Sequence, residues 1–182
     1  MKKLAAKKAQ LTKHRRRANR NGYALIELPV VLWCIFVGFV FPLLIMASIG
    51  IRSSILFFNT DTACLRACKA PSYTEASKRA ADSLKNDLGS FNGISNISSS
   101  LSIIVKPLSG ANPSIVNGKL AQGSIDSSKN LYFLLLSTEA DIDPLVRFNT
   151  QWLSLTVPGL TEPYRLRLKN ECYSENPNGL TE

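Results

Sequence analysis

Histidine is almost absent: His14 is the single one in 182 residues, and it stands in the basic opening segment. Without another imidazole, the rest of the chain has no base for Ser-His-Asp or Cys-His catalysis and no ligand for the usual mixed zinc sites. No glycine-rich loop of the kind that cradles phosphates appears either. The chain reads as a non-enzyme that carries no cofactor. Acids are missing from residues 1–22, which hold Lys2, Lys3, Lys7, Lys8, Lys13, Arg15, Arg16, Arg17 and Arg20. The other 13 cations are matched by 13 acids, so the net charge of +9 belongs wholly to this segment. It has no interleaved aromatics on which bases would stack, which speaks against a nucleic-acid partner.

Charge is missing again from Leu28 to Ile51. As a helix at about 1.5 Å per residue this run is about 36 Å long, enough to cross a hydrocarbon core of about 30 Å with some tilt. It reads as one membrane span, too long for the apolar region of about 7–15 residues in a secretory signal. Lys and Arg beside a span stay cytoplasmic, which places residues 1–22 inside and the C-terminal part outside. Pro42 is expected to kink the helix and free a carbonyl, and Gly38 and Gly50 to allow close approach of a neighbour. Cys34 is read as a small apolar residue of the span. Glu27 is the anomaly, a carboxylate at the membrane-proximal start. Either it lies in the headgroup layer at a helix N-terminus, or it has a task.

Its neighbours bear on that choice. Gly22-Tyr23-Ala24-Leu25-Ile26-Glu27 resembles the processing site of type IV prepilins. The resemblance implies cleavage by a membrane prepilin peptidase between Gly22 and Tyr23, leaving Glu27 as the fifth residue of the mature chain. In a filament of packed apolar helices a buried carboxylate needs a cation, and the new α-amine of Tyr23 on a neighbouring subunit would supply it. The family more often begins its mature chain with Phe. Pro29 falls in the first turns of the helix, where a missing N–H costs little.

Helical spacing continues past Arg52 to about Lys69, where Ala70-Pro71 stops it. Ser72-Tyr73-Thr74-Glu75 fits a capping box, Tyr73, Ala76, Ala80, Leu84 and Leu88 share one face, and Gly89 is placed to end this second helix. Residues 89–129, rich in Ser, Asn and Gly, are expected to be loops around short strands, one at Ile103-Ile104-Val105. Asn96-Ile97-Ser98 matches a glycosylation acceptor and is given no role. Leu131–Leu136 reads as a buried strand. Gln151–Val157 and Tyr164–Lys169 read as a terminal antiparallel hairpin turned at Pro158-Gly159.

Taken together, the chain is expected to be α+β. A leader (1–22) precedes a transmembrane and stalk helix (23–69), and an extracytoplasmic domain (70–182) carries a second short helix and a small antiparallel sheet. Glu139, Asp141 and Asp143 offer too few oxygens for a full Ca²⁺ site, and Asp143-Pro144 also fits a helix start. Cys64 and Cys68 lie one helical turn apart, so either can bond Cys172 if the compartment is oxidising. A three-cysteine metal site lacks a fourth ligand and ranks below a single disulfide.

With its basic leader, prepilin-like span, Ala/Arg-rich helical stretches at 61–67 and 75–81 and β-rich tail, the chain resembles the TadE-like minor pseudopilins of tight-adherence (type IVc) pili. That implies a bacterial inner-membrane protein whose partners are prepilin peptidase, other pilin or pseudopilin subunits, the assembly platform and lipid, acting in pilus assembly and cell adhesion. Two other readings stay open: a pseudopilin of type II secretion, and an uncleaved signal-anchored protein with an outer binding domain.

Overall fold

A computed structural model describes residues 27–145, 158–159 and 161–182. The chain falls into two units, one ending at Leu44 and one running Ile45–Glu182. Helix α1, Glu27–Cys68, has 42 residues and is the one helix among those described that is long and apolar enough to cross a membrane. Over residues 27–44 nearly every side chain faces outward, Val30, Trp33, Phe36, Phe39 and Leu43 included. A helix apolar on all sides has no face for water. Phe36–Val40 is a π-helical turn, closed by the Phe41 N–H on the Phe36 carbonyl. Pro42, which has no N–H and whose ring crowds the carbonyl four residues back, is thus met by a widened turn that keeps the helix running.

Within Ile45–Glu182 the helix is two-sided. Leu56, Thr60, Ala63, Cys64, Ala67 and Cys68, spaced by threes and fours, are buried. Helix α2, Tyr73–Leu88, starts as its capping box predicts, with the Glu75 N–H on the Ser72 hydroxyl at 3.3 Å. Its Ala76, Ala80, Leu84 and Leu88 are buried, and Gly89 is its C-cap.

Strands β1 (Ile94–Pro107), β2 (Ser114–Asn117), β3 (Asn130–Ile142) and β4 (Tyr164–Tyr173) form one sheet in the order β2-β1-β3-β4, every neighbour antiparallel. Tyr132, Leu134, Leu136, Thr138, Ala140 and Ile142 alternate inward along β3. The core joins these side chains to the buried faces of both helices and to Leu180 of the terminal 3₁₀ turn, Pro177–Thr181. That turn abuts the α1–α2 corner so closely that a Cβ on Gly179 would overlap the Pro71 backbone. The Glu182 carbonyl accepts from both the N–H and the hydroxyl of Thr74.

One expectation needs correcting. The Ser- and Asn-rich segment is no loop at its start: β1 spans 14 residues. Its serines take the outward or edge positions while the backbone pairs with β3, and a bulge between Ser95 and Ser98 puts Asn96 at φ 50°, a conformation that Asn tolerates better than most residues. Strand β4 pairs with β3 all along its length. The hairpin partner expected for it, Gln151–Val157, lies outside the described residues, as does the stretch 146–150 into which a helix starting at Asp143-Pro144 would run.

The acidic cluster is engaged by arginines. Asp141 and Glu139 stand opposite Arg165 and Arg167 in register, with ion pairs at 2.9 and 2.6 Å. Hydrogen bonds from Arg165 and then Asn96 hold the Asp141 carboxyl below the usual range. A carboxyl depressed in the folded state stabilises it above the unfolded value of about 3.9, and the contribution is lost as pH falls through the folded value. Asp141→Asn is therefore expected to reduce the fall in melting temperature between pH 6 and pH 3. An unchanged fall would assign the acid sensitivity to other groups.

Candidate functional site

Two features stand out, one on each side of the C-terminal stretch of α1. On its buried side, Cys64 and Cys68 present sulfurs one turn apart towards Cys172, which continues the inward row Leu166, Leu168, Asn170 of β4. Cys68 and Cys172 form a disulfide with Cα atoms 6.2 Å apart, joining α1 to β4 across 104 residues of sequence. The sequence left the pairing open between Cys64 and Cys68, and the bond found is to Cys68. Cys64 remains a thiol, 1% exposed, its Sγ 3.0 Å from the Cys172 Sγ and 3.4 Å from the Asn170 carbonyl oxygen. Burial above all pushes this thiol up to about 11, with the charges of Asp61 and Glu171 adding to the rise and a backbone hydrogen bond at Leu136 opposing it. It is uncharged at neutral pH. The three sulfurs lie within 4.8 Å of one another, the spacing of a metal site, but the disulfide uses two of them and leaves one donor.

On the opposite side, apolar side chains face outward from the last residue of the charge-free run onward. Ile51 is 64% exposed, Phe58 67% and Leu65 53%, at seven-residue intervals over about 21 Å of helix, with Phe57 beside them. Exposed polar residues flank the stripe, Asp61, Thr62 and Arg66 among them, while two others turn to the helix backbone. Ser54 donates to the Gly50 carbonyl at 2.9 Å and Asn59 to the Ile55 carbonyl at 2.8 Å. Arg52, the first charge after the run, turns inward, donating to the Asp143 carbonyl and packing over Gly93. Sequence reading recognised the helical spacing here but not that two apolar stripes share the helix. The excess of apolar positions over one stripe, with Phe57 and Phe58 adjacent, was the available signal.

Glu27 is the first described residue, exposed at the start of α1. Gly22 and Tyr23, the expected cleavage pair, lie outside the described residues. What the arrangement can do is anchor, pack side by side and hold a helix to a sheet. No protein-family model matches the chain, and no curated protein and no solved structure matches it.

Proposed function

We propose that the chain is a single-pass inner-membrane precursor, cut by prepilin peptidase between Gly22 and Tyr23, that serves as a minor subunit or assembly factor of a TadE-like tight-adherence pilus. The observation that carries this reading is the outward apolar stripe Ile51, Phe58, Leu65, which continues where lipid contact alone no longer requires it. Apolar surface of that length on a water-facing helix marks a place where another chain lies. A neighbouring subunit's apolar helix would cover it, and Glu27 then pairs with the Tyr23 amine of that neighbour. The Cys68–Cys172 disulfide supports an extracytoplasmic setting for the outer domain, since such bonds persist where the compartment oxidises. In this reading the domain recognises other pilus components and catalyses nothing; the assembly platform is its membrane partner, and neither nucleic acid nor a cofactor takes part.

The test is the N-terminal sequence and intact mass of the membrane-extracted protein, with and without co-expressed prepilin peptidase. A new N-terminus at Tyr23 that depends on the peptidase is the expected result. Glu27→Ala should then be cut normally and fail to assemble. A chain that still begins at Met1 beside active peptidase would leave a signal-anchored protein and remove the pilus reading.

A further inference from the structure

The disulfide has a spare partner. Cys64 and Cys68 are four residues apart on one helical face, both buried, and Cys172 sits where either can reach it. The Cys64 sulfur is 3.0 Å from the Cys172 sulfur, and a disulfide is about 2.05 Å long. Closing that gap takes about 1 Å, within the reach of side-chain rotation. Nothing about the sheet need change, because Cys172 keeps its place in β4 and both alternatives tie it to the same helix.

We propose that Cys64 and Cys68 are interchangeable partners of Cys172, and that the tether between α1 and β4 passes between them by thiol–disulfide exchange inside the core. The Cys64 thiolate attacks the Cys172 sulfur, the Cys64–Cys172 bond forms, and the Cys68–Cys172 bond breaks. Cys68 leaves as a thiolate and takes up the proton that Cys64 gave. One disulfide and one thiol are present before and after, so no outside oxidant or reductant is needed. The exchange moves the free thiol one turn along, to the last residue of α1, without untying the domain.

The surroundings set the pace. Asp61 faces Cys64 from its own helix and Glu171 from β4, while β3 offers only the carbonyl of Leu134 and the backbone group of Leu136. Burial and both acids disfavour the attacking thiolate. With the thiol near 11, the reactive fraction grows about tenfold for each unit that the pH climbs towards that value. Exchange is therefore slow at pH 7 and about a hundredfold faster at pH 9.

The test is disulfide mapping of the full-length chain after acid quench and alkylation. Cys68→Ser is expected to form a Cys64–Cys172 bond, with one bridged peptide pair and a mass about 2 Da below the reduced chain. Cys64→Ser should keep Cys68–Cys172. A Cys68→Ser chain that folds with both remaining thiols alkylated, beside a bridged Cys64→Ser chain, would overturn the proposal. Should Cys68→Ser fail to fold, the wild-type chain decides. After incubation at pH 9 a share of the alkylation should move from Cys64 to Cys68, and alkylation confined to Cys64 at every pH would count against exchange.

Discussion

Replacing Cys172 with serine is expected to lower the stability of the domain by about 4.7 kcal/mol, the value that loop-closure entropy assigns to a cross-link of this span. The bond joins residues 104 apart, so cutting it frees a long loop in the unfolded chain. Cys172 is the right residue to change because both Cys64 and Cys68 face it; removing either helix cysteine leaves a thiol able to replace the other. A second cost has the same sign, since the serine hydroxyl would enter a site lined by Cys64, Cys68 and the Asn170 backbone with little water nearby. Urea unfolding of the detergent-solubilised full chain reads this directly. At a slope of about 2 kcal/mol per molar urea, the midpoint should fall by about 2 M. Saturating reductant should bring the wild type to nearly the same midpoint. A fall below about 0.5 M in both would mean that packing holds α1 to the sheet with little help from the bond.

Local chemistry was the most legible part of the fold. Pro71 and the Ser72–Glu75 box fix the α1–α2 corner through contacts within a few residues, and the face from Ala76 to Leu88 arises from spacing alone. The alternation of Tyr164 to Lys169 likewise fixed which side of β4 turns inward. Less legible was whatever depends on a distant strand. Ser95 to Ser100 look like loop residues until β3 is present to pair with their backbone. The choice of Cys68 over Cys64 is also invisible in one dimension, because both meet the helical rule. The outward stripe was hidden for another reason. Past Arg52 apolar residues exceed one stripe, so which of them turn inward emerges only once the sheet claims Leu56, Ala63 and Ala67.

Phe58→Asp is expected to abolish incorporation of the chain into an assembly while leaving its fold intact. Phe58 is two-thirds exposed, and its ring meets that of Phe57 edge-on, centroids 5.8 Å apart, so the isolated domain loses little when it goes. In a packed array the same ring would be covered by a neighbouring helix. Burying a phenylalanine is worth about 1.5–3 kcal/mol, and an unpaired carboxylate there costs more than the loss of the ring. Lost burial of the ring and the stranded carboxylate together exceed about 2.7 kcal/mol at that contact, so at least about a hundredfold drop in the assembled fraction is expected. The measurement pairs the sheared or cross-linked assembled fraction with the urea midpoint of the same variant. Ser77→Asp, on the exposed face of α2, serves as the control and should change neither. If Phe58→Asp assembled at the wild-type level, the stripe would not be a subunit contact, and the pilus reading would lose the observation that carries it. If it lowered the urea midpoint as much as Cys172→Ser, Phe58 would be part of the domain's own packing and the stripe would end at Ile51.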